Sequence, residues 1–218
     1  MIRPLLTAGL LFATFPICAA TEVRFLAERY PQDLGAVRMV SGEEQSEAFD
    51  LPTKHLSEPR FAPQRTFRIR TVLKDKALAT VELPAGGDSF IVLLVPAVRG
   101  GFKPVVLPSD RDRFQAGEVY CYNHSPNLVF GKVGSAKLAL QPSSGGILKP
   151  AGARKENFYD VLFYYRSDKG DRPLSSTRWP VDGKVRSYAF FYVHPESGRP
   201  AFRTVDEFLP PLTPATAR

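Results

Sequence analysis

Apolar and polar positions along this chain alternate over short runs, and no stretch longer than a turn or two holds a helical period. Residues 65–73 show the pattern best. Phe67 and Ile69 point one way while Arg68 and Arg70 point the other, so the strand has one solvated face. Residues 77–83 pair with it across Lys74-Asp75-Lys76. Residues 89–95 (SFIVLLV) and 158–165 (FYDVLFYY, one charge at Asp160) are apolar at consecutive positions, the mark of central strands covered on both faces. Further short strands are expected over 21–29, 36–40, 102–107, 118–124, 128–133, 137–140, 146–149, 187–193 and 200–205. Twenty prolines and sixteen glycines punctuate them. The pattern is that of an all-β sandwich or barrel.

Three segments stand outside it. Residues 1–20 (MIRPLLTAGLLFATFPICAA) have Arg3 before an apolar run and then Cys18-Ala19-Ala20, the small-residue pattern of a cleavable signal peptide. Residues 41–64 are acidic and then proline-punctuated, and read as a long loop with at most one edge strand. The tail over 209–218 (LPPLTPATAR) is too proline-rich for regular hydrogen bonding and is expected to be loose. One sandwich domain over 21–208 is the expected organisation. One internal echo crosses it: residues 89–104 (SFIVLLVPAVRGGFKP) and 187–200 (SYAFFYVHPESGRP) both run apolar strand, proline, glycine turn, proline. A duplication or the shared demands of a hairpin with a buried strand would each produce it.

Composition narrows the setting. The chain carries a formal charge of +7, and removal of Arg3 with the leader lowers this by one. The balance favours anionic partners, such as envelope polysaccharide or another anionic polymer, without a motif for specific nucleic acid. No apolar stretch outside the leader is long enough for a transmembrane helix. After cleavage Cys121 is the only cysteine, so no internal disulfide forms and the core depends on packing.

Candidate chemistry gathers at residues 118–135 (EVYCYNHSPNLVFGKVGS). Strand alternation turns Cys121 and His124 to opposite faces, and no second cysteine or nearby histidine completes a metal set. The glycines around Lys132 do not fit a phosphate-binding loop, because no helix follows. There is no nucleophile elbow. Neither a cofactor nor a metal is expected. The remaining candidate is a basic, aromatic binding face made of Arg68, Arg70, Arg178, Trp179 and Arg186, where exposed aromatics beside arginines suit sugars or anionic polymers.

The stretch 117–150, with YDVLFYY, LSSTRWPVDGKVRSYAFFYVHPESGRP and a closing aspartate, resembles a group of uncharacterised exported bacterial proteins of the kind found in verrucomicrobia and related environmental bacteria. The likeness spans roughly 65–208. It implies an immunoglobulin-like β-sandwich, no known activity and no catalytic residue. Together these readings describe an exported protein of the periplasm or cell surface, with a non-catalytic binding or scaffolding role and room for a protein partner. The alternative is an extracytoplasmic polysaccharide hydrolase using carboxylates such as Asp160 and Asp182.

Overall fold

The computed structural model describes residues 21–29, 31 and 33–210. The expected leader over 1–20 and most of the expected tail lie outside these residues.

The described residues are all-β, with no helix. The first half of the chain supplies β1 (Glu22–Ala27), β2 (Val37–Ser41), β3 (Glu44–Gln45), β4 (Arg60–Phe61), β5 (Thr66–Thr71), β6 (Ala77–Glu82), β7 (Ser89–Pro96) and β8 (Phe102–Pro108). The second half supplies β9 (Val119–Asn123), β10 (Val129–Val133), β11 (Ala136–Leu140), β12 (Ser144–Leu148), β13 (Phe158–Ser167), β14 (Gly170–Pro180), β15 (Val185–Val193) and β16 (Pro200–Phe208).

Four sheets result, where a single sandwich would have two. Their orders are β4-β1-β7-β8 and β3-β2-β5-β6 in the first half, and β12-β9-β15-β16 and β11-β10-β13-β14 in the second. Adding eight to each strand number of the first pair reproduces the second pair. Directions repeat as well: β1 with β7 and β9 with β15 are parallel, and every other ladder is antiparallel. The echo between 89–104 and 187–200 therefore falls on equivalent hairpins, β7–β8 and β15–β16.

Three apolar clusters order the layers. Val23, Phe25, Met39, Phe67, Ile69, Phe90 and Val92 fill the first sandwich, between the β7 and β5 sheets. Val119, Cys121, Val133, Val161, Phe163, Ala189 and Phe191 fill the second, between the β15 and β13 sheets. Leu26, Ile91, Leu93, Val95, Tyr120, Tyr122, Tyr188 and Phe190 lie between the β7 and β15 sheets, which face each other. This middle layer explains why β7 and β9 are apolar at successive positions: each is covered on both sides, and the alternation that marks a half-exposed strand is lost.

Two expectations change. The segment 41–64 holds two short edge strands, not one. β3 and β4 lie on opposite sheets, and the chain crosses between them with Phe49, Leu51 and Leu56 buried. Apolar side chains hidden among acids and prolines carried too weak a period to show this. The longest strand, β14, was not expected at all. It is an exposed sheet edge, so its sequence, GDRPLSSTRWP, is polar and proline-containing in the manner of protected edges.

Candidate functional site

A groove of about 340 Å³ opens at one end of the second sandwich. Its aromatic wall is a cross-strand pair, Tyr159 on β13 opposite Trp179 on β14. Both side chains point inward and pack beside the second core. The Trp179 indole lies 5.8 Å from the Phe163 ring and 6.4 Å from that of Phe202. A strand pair supported from behind by these two aromatics is a stiff platform for a ligand.

The opposite wall comes from chain ends and turns. Gly117 donates its N–H to the Val185 carbonyl at 2.6 Å, which closes the entry to β9 against β15. Asp182 accepts the Lys184 N–H at 2.8 Å, a local bond that fixes the Asp182-Gly183 turn. Asp206 on β16 accepts from the Ser187 hydroxyl at 2.6 Å, and Glu118 accepts the Gln115 N–H at 2.8 Å. Glu118, Asp182 and Asp206 thus line one groove with Ser187 and Thr204, and among the described residues no arginine or lysine lines it. Each carboxylate keeps lone pairs for a further donor.

The five candidate binding residues do not form one face. Arg68 and Arg70 lie on the outer face of the β5 sheet, because Phe67 and Ile69 take the inner one. Arg70 is engaged locally. Its Nε and Nη2 donate to the Asp75 carboxylate at 2.9 Å, and Arg38 donates to the same group at 3.1 Å. Arg70 and Arg38 hold that carboxyl below its usual range. Arg178 is on the outer face of the β13 sheet, at the far side of the stack. It sits 4.6 Å from the Phe158 ring and 4.0 Å from Asp160. Trp179 is alone in the groove.

Arg186 is a correction in kind, since it is only 1% exposed. Its guanidinium donates to Glu207 from Nε at 2.6 Å and from Nη2 at 3.3 Å, and its Nη1 donates to the carbonyls of Ser109 and Phe114. Tyr188 donates to Glu207 at 2.6 Å, and Arg24 of β1 reaches the same carboxylate at 2.6 Å. This cluster joins β1, the β8–β9 connection, β15 and β16, and so ties the two sandwiches together. Burial alone would raise the Glu207 carboxyl, but Arg186, Tyr188 and Arg24 outweigh it and hold the group below the ordinary range. Burial also pushes the Tyr188 phenol well up. Spacing along the sequence offered no sign of it, because arginine in an apolar strand reads as a solvated charge until its partner is known.

The carboxylate pair is redrawn as well. Asp160 is outside the groove, 2.6 Å from Arg154 on the outer face, whereas Asp182 lines it together with Glu118 and Asp206. Cys121 and His124 part as alternation requires. Cys121 is in the second core, and the His124 Nδ1 lies 2.8 Å from the Glu28 carboxylate across the middle layer. Among the described residues no group of three His, Cys, Asp or Glu side chains is placed to hold a metal ion. Burial pushes the Cys121 thiol up to about 12. In the chain from Thr21 onward this thiol is therefore expected to resist an aromatic disulfide reagent in the native state and to react only after denaturation. Rapid native labelling would contradict its placement.

Compared with known proteins, the chain matches no family model, and no curated protein matches it.

Proposed function

We propose that the protein is exported to the cell envelope, in the manner of the exported bacterial sandwich proteins it resembles, and acts there as a non-catalytic binding module. The observation that carries this reading is the Tyr159–Trp179 pair beside the acceptor-rich wall of Asp182, Asp206, Ser187 and Thr204. Sugar rings present C–H faces that pack on aromatic rings, and hydroxyls that donate to carboxylates. Three carboxylates without a lining cation favour an uncharged glycan over an acidic one, because an anionic polymer would be repelled.

Calorimetric titration with neutral and acidic envelope oligosaccharides tests this. Binding of a neutral glycan is expected, weakened about tenfold or more by Trp179→Ala. Trp179 also packs against the core, so Asp182→Asn, on an exposed turn, provides the second variant and should weaken binding without lowering Tm. Preference for the acidic glycan would overturn the reading.

The gathering of Glu118, Asp182 and Asp206 favours one second reading, a carboxylate-dependent polysaccharide hydrolase in which Asp182 acts without Asp160. Turnover of chromogenic glycosides that disappears in Asp182→Asn would establish it and remove the non-catalytic role.

A further inference from the structure

A second and larger cleft, about 550 Å³, lies in the first sandwich, where the β5–β6 and β7–β8 turns meet the segment after β1 and Pro195 of the second half. Its wall is apolar: Leu34, Leu78, Pro96, Ala97 and Phe102. The volume falls within the range of about 300–1,000 Å³ usual for small-molecule sites. At the mouth Leu73 is 89% exposed, and Val98, next to Ala97, is fully exposed. Apolar side chains held in water beside an apolar cleft mark a surface that gains by being covered.

The rim is cationic for a local reason. The β5–β6 turn reads Lys74-Asp75-Lys76, and Asp75 turns through a positive φ of 48° to give its carboxylate to Arg38 and Arg70. Its two lysine neighbours line the cleft and pair with no carboxylate among the described residues. Arg29 lines it too, held near the Val193 carbonyl and over the Tyr192 ring at 5.8 Å. Arg29 also meets the buried Glu28 carboxylate at 3.7 Å, and Asp33 is the carboxylate that lines the cleft itself. The β7–β8 wall is stiff, since Gly101, at φ +73°, packs directly on the Leu78 carbonyl with no space for a Cβ.

An apolar wall below a rim whose two lysines pair with no carboxylate among the described residues is complementary to a molecule with a hydrocarbon chain and an anionic end. We propose that this cleft binds a single-chain anionic amphiphile, with its chain along Leu78 and Phe102 and its carboxylate or phosphate on Lys74, Lys76 and Arg29. This site is separate from the Trp179 groove and does not depend on the reading of that groove.

The test is calorimetry of the chain from Thr21 onward with dodecanoate and dodecyl phosphate below their micellar concentrations, with dodecyltrimethylammonium as the cationic counterpart. Saturable binding of the anions at one site is expected, and it should weaken about tenfold or more in the Lys74→Glu/Lys76→Glu variant, whose changes are on an exposed turn. Ala97→Phe, which fills the cleft, should abolish it while leaving the charges in place. Equal binding of the cationic probe, or persistence in Ala97→Phe, would overturn the site. So would binding to phosphatidylglycerol vesicles without binding to the free anions, which would assign the rim to membrane adsorption.

Discussion

Replacing Glu207 by alanine is expected to lower folding stability by about 4 kcal/mol, among the largest losses available to a single substitution here. The carboxylate is the common acceptor for Arg186, Arg24 and Tyr188. Without it the Arg186 guanidinium stays buried with only the Ser109 and Phe114 carbonyls as strong acceptors. An uncompensated buried cation costs more than the pair contributes relative to an apolar replacement, so a double change of Arg186 and Glu207 to leucine and methionine should recover much of the loss. Chemical denaturation of the three proteins checks this. A single-mutant loss below about 1 kcal/mol would mean that water reaches the cluster freely.

The same cluster sets a pH dependence. A carboxyl whose folded pKa is depressed binds its proton more weakly in the native state than in the unfolded chain. Its stabilisation is therefore complete above the unfolded pKa, near the ordinary glutamate value of 4.5, and is lost as pH falls through the lower folded value. Glu207→Gln should flatten the acid limb of the stability curve over that window and leave the neutral-to-basic side parallel to wild type.

Gly134→Ala is the second change with a large expected effect, about 3 kcal/mol. Gly134 directly follows β10 with φ +60°, where an L side chain is strained, and a Cβ there would run into the Ala151 carbonyl oxygen. That carbonyl cannot retreat cheaply, because it accepts the Ser135 N–H at 2.8 Å. Gly146→Ala makes the control. Gly146 is on β12 with ordinary φ, and a Cβ there would meet nothing within 4 Å, so its effect should stay within about 0.5 kcal/mol. Equal Tm shifts for the two alanine variants would contradict the close approach at Gly134.

The hairpin echo shows how far sequence likeness can be followed. Matching Ser89 to Ser187 sets Phe90 on Tyr188, yet Phe90 faces its own sandwich core and Tyr188 faces the middle layer. Matching Pro96 to Pro195 moves the register by one and restores the faces, placing Val92 on Phe191 in the two equivalent cores. Side chains alternate with period two, so a slip of one residue exchanges every face. When both faces are apolar, nothing in the sequence marks the slip.

The candidate site divides along the same line. Trp179 stood out as a candidate because an indole beside arginines in a proline-bounded segment is conspicuous, and the structure places it in the groove. Its partners Tyr159, Asp206 and Thr204 come from strands distant in sequence, and no local pattern links them. Arg178 and Trp179 looked like one surface because they are adjacent in the chain, and adjacency in a strand is what sends them to opposite sides.

By itself the sequence determined the all-β class, the positions of most strands, the covering of β7 on both faces, and the separation of Cys121 from His124, whereas β13, equally apolar in its run, is buried on one face only. All of these depend on local chemistry: alternation, β-branched and aromatic content, and breakers between runs. Only the tertiary structure decided that there are four sheets in place of two, that β7 and β15 face each other across a shared core, that Arg186 is an internal tie, and that two clefts of opposite charge open in the two sandwiches. Those outcomes depend on which apolar face meets which. Burial energy is nondirectional and proportional to area, so a strand's own residues show that a face must be covered without showing by what.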